Sequence, residues 1–186
     1  MDIYLPQLSD CDDPEEWLSA VFINYGIALR ECRESGDKPG YAEVLRRLEA
    51  TVTKAAKSGI EDDLAWVLLA RHTKHPGRRL KYFLSAHKAM MRKLKEDQDE
   101  MNFDEAARER FEAATMLREI GLIYEAKGDL AKAEKFFTGA LTHLREASDL
   151  METFFLSEDN DNSEGEIFPL HPRLLKELER VKKRRA

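Results

Sequence analysis

Apolar residues recur along most of the chain at spacings of three and four, the pattern of amphipathic helices rather than strands. Clusters of Gly, Pro, Ser and Asp interrupt this pattern, and such residues favour turns and helix ends. The pattern predicts seven helices: Pro14 to about Glu34, Tyr41 to Lys57, Asp63 to about Lys74, Arg78 to Lys95, Asn102 to Lys127, Leu130 to Leu156, and Pro172 to Lys183. We therefore expect an all-α protein.

The first six helices follow one another as three hairpins. Glycines mark the predicted turn of each hairpin, at Gly36 and Gly40, at Gly77, and at Gly128. This repetition is typical of helical repeat proteins. The sequence thus predicts a helical domain over 1–156, an acidic linker over 157–169, and a C-terminal helix with a basic tail over 170–186.

The third hairpin carries an informative set of large and small side chains. The spacing W-x₂-L-G-x₂-Y followed by A-x₃-F is reproduced, with two replacements, by Leu117, Ile120, Gly121, Tyr124, Ala133 and Phe137. This hairpin resembles a tetratricopeptide repeat over residues 117–145, although Arg145 stands where the closing proline is expected. The resemblance is looser over 63–95 and loosest over 17–57.

The resemblance implies both a fold and a function. The fold it implies is a right-handed superhelical array of three tetratricopeptide-like hairpins, irregular in spacing, with a C-terminal capping helix. The function it implies is a non-catalytic protein-interaction module, such as an adaptor, a scaffold or a chaperone-like protein. Such a module holds a partner segment in a concave groove lined by the first helix of each hairpin.

The groove positions of the family carry over to a partner-binding surface in this chain. Its residues are Tyr25, Leu29, Arg33, Val67, Arg71, Lys74, His75, Arg118 and Leu122. The arginines and the lysine among them suit carboxylates, so the expected partner is a protein or peptide of acidic character. The Lys and Asn residues of the family's clamp for acidic C-terminal peptides are absent, and that specific ligand is not predicted.

Charge is distributed unevenly along the sequence. The net charge is −6, yet residues 64–95 contain nine Lys and Arg and no acid. Ion pairing within the chain explains such a block, and so does an anionic ligand. One alternative function is therefore a nucleic-acid-associated regulator that uses the 64–95 block and the basic C-terminus, although the overall acidity counts against it.

No arrangement of residues predicts a metal, a cofactor or catalysis. His72, His75 and His87 lie within the basic block, which offers no Cys, Asp or Glu to complete a metal site and would repel a cation. Phosphate-binding loops, nucleophile elbows and zinc-protease motifs are missing. The protein is therefore predicted not to be an enzyme, and a helical enzyme without a recognisable motif is the remaining alternative.

The two ends of the chain bear on localisation and on capping. The acidic N-terminus lacks the apolar core of a secretory signal, and the longest apolar run, 64–70, is too short to span a bilayer. We expect a cytoplasmic protein, with nuclear import as the alternative if Lys182, Lys183, Arg184 and Arg185 form a signal. The last helix has a predicted apolar stripe of Leu174, Leu175, Leu178 and Val181, with Glu177 facing water. It either caps the third hairpin or occupies the groove.

Overall fold

The structure is a computed structural model that describes residues 14–60, 62–96, 103–157 and 170–185. All regular secondary structure in these residues is helical, which confirms the all-α prediction. The helices are α1 (Pro14–Glu34), α2 (Lys38–Lys57), α3 (Asp63–His72), α4 (Pro76–Glu96), α5 (Phe103–Ala126), α6 (Leu130–Ser157) and α7 (Leu170–Arg185). No helix within these ranges combines the length and the hydropathy that crossing a membrane requires.

Helix α2 begins three residues earlier than predicted. The Asp37 side chain caps it and accepts a hydrogen bond from the Gly40 backbone N–H at 2.9 Å. Pro39 is tolerated in the first turn because the N–H it lacks has no intrahelical partner there. The chain reverses at Gly36, whose φ is +73°. Gly40 is therefore part of the helix and not of the turn, contrary to the prediction.

Helix α4 also begins earlier than predicted, at Pro76. The His75 ring Nδ1 accepts a hydrogen bond from the Arg78 backbone N–H at 3.3 Å and so satisfies one of the free donors of the first turn. Gly77 consequently lies inside α4, whereas the sequence predicted it as a turn residue. Helix α3 ends at His72, two residues before its predicted end.

The chain divides into two compact units, Met1–Ala89 (unit 1) and Met90–Ala186 (unit 2), with the division inside α4. The predicted acidic linker over 157–169 belongs to unit 2, and its residues 158–169 lie outside the described residues. Each unit has its own apolar core. The superhelical array of three hairpins stays a prediction.

Unit 1 is built on the mutual packing of α1, α2 and α3. Leu29 of α1, Leu48 of α2 and Ala70 of α3 are fully buried. Trp66 of α3 stacks on Tyr82 of α4, with ring centroids 5.9 Å apart. These buried side chains and this ring stack form part of the core of unit 1.

Unit 2 is dominated by the hairpin of α5 and α6. A Cβ atom built on Gly121 would lie 2.6 Å from the Phe137 ring, so only glycine fits at this helix contact. Ala133 and Phe137 are fully buried, and Tyr124 stacks on Phe136 at a centroid distance of 5.4 Å. The small residue at position 121 thus lies where the sequence pattern required a close approach.

Helix α7 docks on this hairpin and contacts both of its helices. Leu174, Leu178 and Val181 are buried as predicted. Leu175 is 39% exposed and Glu177 is buried, which reverses the two predicted orientations. The reason is a hydrogen-bonded ion pair between Glu177 and Arg118 of α5, which brings the glutamate inward.

Candidate functional site

The residues predicted to bind a partner lie in different environments. Tyr25, Leu29 and Val67 are 1%, 0% and 8% exposed, and their side chains belong to the core of unit 1. The Tyr25 hydroxyl lies 3.2 Å from the Thr51 hydroxyl, within hydrogen-bond distance. A ligand cannot contact these three side chains unless the core of unit 1 opens, so they stabilise the surface and do not form part of it.

A pocket of about 720 Å³ opens on unit 1 where the α1–α2 turn meets the α3–α4 turn. We call it the basic pocket. Arg33, Lys74 and His75, all predicted to bind a partner, line it, whereas Arg71 is exposed outside its lining. Its complete lining is Cys32, Arg33, Gly36, Asp37, Lys38, Tyr41, Ala42, Leu45, Arg46, Glu49, Leu69, His72, Thr73, Lys74, His75, Arg78 and Tyr82.

The basic pocket contains more cationic than anionic side chains. Five are Lys or Arg, at positions 33, 38, 46, 74 and 78, and two are carboxylates, Asp37 and Glu49. Both carboxylates have partners in the chain. Asp37 caps α2, and Glu49 lies 4.0 Å from Arg78 and hydrogen-bonds to Tyr82. Burial is the main cause that raises the pKa of Tyr82, and the hydrogen bond to Glu49 raises it further.

Three of the five cations have no ion-pair partner in the part of the chain that the structure describes. These are Arg33, Lys38 and Lys74, while Arg46 pairs with Glu43 on its own helix at 2.7 Å. Together with the engaged carboxylates, this leaves a positive potential in the pocket that the described residues of the chain do not neutralise. Such a potential attracts and orients an anionic group.

A tyrosine–histidine pair forms one wall of the pocket. The Tyr41 hydroxyl lies 2.6 Å from the His72 Nδ1, and their ring centroids are 5.9 Å apart. Burial raises the pKa of Tyr41 and lowers the pKa of His72, and the charges of Arg33 and Arg71 lower the His72 pKa further. Both shifts favour the neutral forms, so a neutral phenol and a neutral imidazole share this hydrogen bond, and the wall carries no charge at neutral pH.

A second, smaller concavity of about 340 Å³ lies along α1. We call it the α1 pocket. It is lined by Phe22, Ile23, Gly26, Ile27, Arg30, Arg33 and His72. Arg33 and His72 line both pockets, so the two are contiguous within unit 1.

The two residues of unit 2 that were predicted to bind a partner, Arg118 and Leu122, are less accessible to a ligand. The Arg118 guanidinium binds Glu177 of α7 through two hydrogen bonds, with Nε 2.9 Å from Oε2. Leu122 is half-buried. Helix α7 thus takes up the cationic group on α5 that the sequence predicted to bind a partner.

Sequence reasoning missed the contribution of α2 to the basic pocket. Lys38, Tyr41, Ala42, Leu45, Arg46 and Glu49 all line it. They recur at spacings of three and four, which defines one face of a helix. The buried face of α2 is a separate set, Val44, Leu48, Val52 and Ala55. The sequence of α2 thus contains a second, mixed face beside its apolar one, whereas the family's groove positions lie on the first helix of each hairpin.

The histidines of the basic block are not grouped as metal ligands among the described residues. No cluster of three or more His, Cys, Asp or Glu is placed to hold a metal ion within the described ranges. His72 is engaged with Tyr41, and His75 caps α4.

Comparison of the chain with protein-family models, with curated proteins and with solved structures gives no match.

Proposed function

We propose that this protein is a protein-interaction module without catalysis of its own, and that unit 1 binds an acidic segment of a protein partner in the basic pocket. The observation that carries the proposal is the set of five Lys and Arg side chains around one concavity, of which Arg33, Lys38 and Lys74 have no ion-pair partner among the described residues. Isolated surface cations are common and need no ligand. Their convergence on a pocket with apolar surface is what favours binding.

The chemistry of the lining favours carboxylates on a peptide. Arg33 and Arg78 offer planar donor groups that suit bidentate carboxylate binding, and Lys38 and Lys74 add point charges. Leu45, Leu69 and the Tyr41 ring give the pocket apolar surface against which a peptide backbone can pack. A segment with two or more acidic residues would satisfy both properties.

The tetratricopeptide-like array is part of this proposal. The third hairpin supports it, because Gly121 meets Phe137 at the close contact that the family pattern requires. Under this proposal α7 is the capping element that terminal repeats need, and the protein acts as an adaptor or scaffold in the cytoplasm.

The nucleic-acid alternative has weaker support. Of its basic tail, Arg184 and Arg185 pair with Glu125 and Glu134 at 2.8 and 2.6 Å. From the 64–95 block, Lys93 pairs with the buried Glu109 at 2.6 Å. Cations with such partners do not add to phosphate binding without first breaking these contacts.

The test is the binding of a labelled acidic peptide, a short Glu-rich chain in a Ser-Gly background, followed by fluorescence anisotropy. Reversing two pocket charges with Arg33→Glu and Lys74→Glu should weaken binding about tenfold or more, since each cation lost contributes up to about 1 kcal/mol and each reversal adds repulsion.

The matched control is Lys57→Glu with Lys81→Glu. Both lysines are exposed, lie in unit 1 outside the basic pocket, and change the net charge by the same amount. The control should retain nearly all the affinity, and far-UV circular dichroism should show unchanged helicity in both proteins. Absence of peptide binding to the unmodified protein, or an equal loss in the control, would reject the proposal.

A further inference from the structure

Two isoleucines stand exposed on α1 beside the basic pocket. Ile23 is 56% exposed and Ile27 is 40% exposed, and both line the α1 pocket with the half-buried Phe22. Single exposed apolar side chains are ordinary on protein surfaces. These two lie four residues apart, hence on one helix face, and they line a concavity.

Gly26, between the two isoleucines, gives a second and independent observation. Glycine inside a helix is destabilising relative to alanine, so a structural reason for it is expected. None appears in the residues that the structure describes: Gly26 has no positive φ, and an added Cβ would meet nothing within 4 Å. What the missing side chain does leave is open space in the α1 pocket.

The cations around the α1 pocket restrict which ligands can fill its open space. Arg30 and Arg33 line the α1 pocket, and Arg33 also lines the basic pocket. An apolar ligand side chain bound over the isoleucines therefore lies beside these cations. Acidic residues adjacent to that side chain in the ligand are favoured for the same reason. The same acidic segment can occupy both pockets.

We propose that the α1 pocket is a specificity subsite that receives one bulky apolar side chain of the acidic segment bound in the basic pocket. This inference rests on the proposed function and adds the sequence type of the partner: acidic residues together with one aliphatic or aromatic residue.

The geometry of α1 sets the spacing in that motif. The middle of the Ile23–Ile27 pair is eight residues from Arg33, about 12 Å along a helix at 1.5 Å per residue. An extended peptide advances about 3.3 Å per residue. The apolar residue of the ligand is thus three or four positions from its acidic cluster.

Three peptides of equal length test the motif by fluorescence anisotropy. The first has a cluster of four Glu in a Ser-Gly background, the second adds Leu three positions from the cluster, and the third carries the Leu ten positions away. The second should bind the unmodified protein about tenfold more tightly than the first, which is about 1.4 kcal/mol. The third should resemble the first.

Gly26→Phe should fill the subsite. It should abolish the tenfold advantage of the second peptide and leave the affinity of the first unchanged. Ile23→Asn with Ile27→Asn is the second variant, and it should have the same effect by removing the apolar surface. Leu84→Asn is the matched control, since Leu84 is 37% exposed on α4 and lines neither pocket.

The outcomes separate this inference from the proposed function. If the first two peptides bind equally, or if the advantage survives both variants, the subsite is refuted while acidic binding stands. If no peptide binds, both fail. If sedimentation shows that the free protein self-associates and that the isoleucine variant dissociates it, the occupant is a second copy of the chain and the inference is overturned.

Discussion

Two groups of basic side chains, one in each unit, differ in what they contact. In unit 2, Arg118, Arg180, Arg184 and Arg185 each lie 2.6–2.9 Å from a glutamate oxygen. In unit 1, Arg33, Lys38 and Lys74 have no ion-pair partner among the described residues. Arginine occurs in both groups, so the residue type does not separate them; the presence of a partner in the chain distinguishes a structural cation from one that is available to a ligand.

The unit 2 ion pairs have a clear structural use. Glu125 on α5 is buried and accepts hydrogen bonds from both Arg180 and Arg184 of α7. The first of these hydrogen bonds is the main reason that the pKa of Glu125 lies below its ordinary range. Together with the buried Leu174 and Val181, these contacts hold α7 on the hairpin, so Arg180 and Arg184 stabilise the fold of unit 2.

The largest expected effect is in the packing of unit 2. Gly121→Leu should lower the free energy of unfolding by about 3 kcal/mol, because even a Cβ atom would overlap the Phe137 ring. Gly26→Leu in unit 1 is the matched control, since its Cβ meets nothing within 4 Å. Chemical denaturation monitored by circular dichroism compares the two. Equal stabilities would contradict the close helix contact.

The next effect tests the buried ion pair. Glu125→Gln should lower the free energy of unfolding by about 1–2 kcal/mol. This is less than the usual contribution of hydrogen bonds to charged groups, because the two arginines are half-exposed. Glu43→Gln is the control, since Glu43 also binds two arginines but is much more exposed, and little change is expected.

The pH dependence of this cost has a definite sign. Folding lowers the pKa of Glu125, so the ionised carboxylate stabilises the folded protein at any pH above the ordinary pKa of 4.5. This stabilisation is lost as the pH falls through the lower pKa that Glu125 has in the folded state. The difference in stability between the unmodified protein and Glu125→Gln should therefore shrink as the pH falls below about 4.5. A constant difference from pH 7 to pH 3 would contradict the ion pair.

The smallest effect concerns His72 in unit 1. Burial and the cations Arg33 and Arg71 lower its pKa in the folded state, so protons bind the unfolded chain preferentially. The stability contributed by neutral His72 is complete above pH 6.5 and declines as the pH falls towards the folded pKa. Urea unfolding between pH 7.5 and 5.5 should show a larger loss for the unmodified protein than for His72→Asn. Parallel curves would mean that His72 is not perturbed by its neighbours.

The sequence predicted the helices better than the site. Helix periodicity and the turn residues located all seven helices, since apolar spacing depends on local geometry alone. The starts of α2 and α4 were misplaced because the Asp37 and His75 side chains cap helices through residues that read as turn formers. Gly121 was located correctly because its pattern reflects a contact within one hairpin.

The site depended on contacts that the sequence does not encode locally. Arg118 and Glu177 are 59 residues apart, and nothing in the pattern around either one predicts their pairing. Lys38 and Arg46 were missed because the binding surface was taken from the first helix of each hairpin. Charge counting located a basic block but could not tell which cations have partners.

We expect the cations of the basic pocket in unit 1 to bind the acidic ligand, and not the paired arginines of unit 2. Arginine side-chain Nε–Hε resonances report this directly in a ¹⁵N–¹H correlation spectrum, with assignments from single Arg→Lys variants. Titration with the Glu-rich peptide should shift the resonances of Arg33 and Arg78 and leave those of Arg118 and Arg180 unchanged. Movement of Arg118 and Arg180 with Arg33 unaffected would contradict the claim, since the ligand would then be exchanging with the ion pairs of α7.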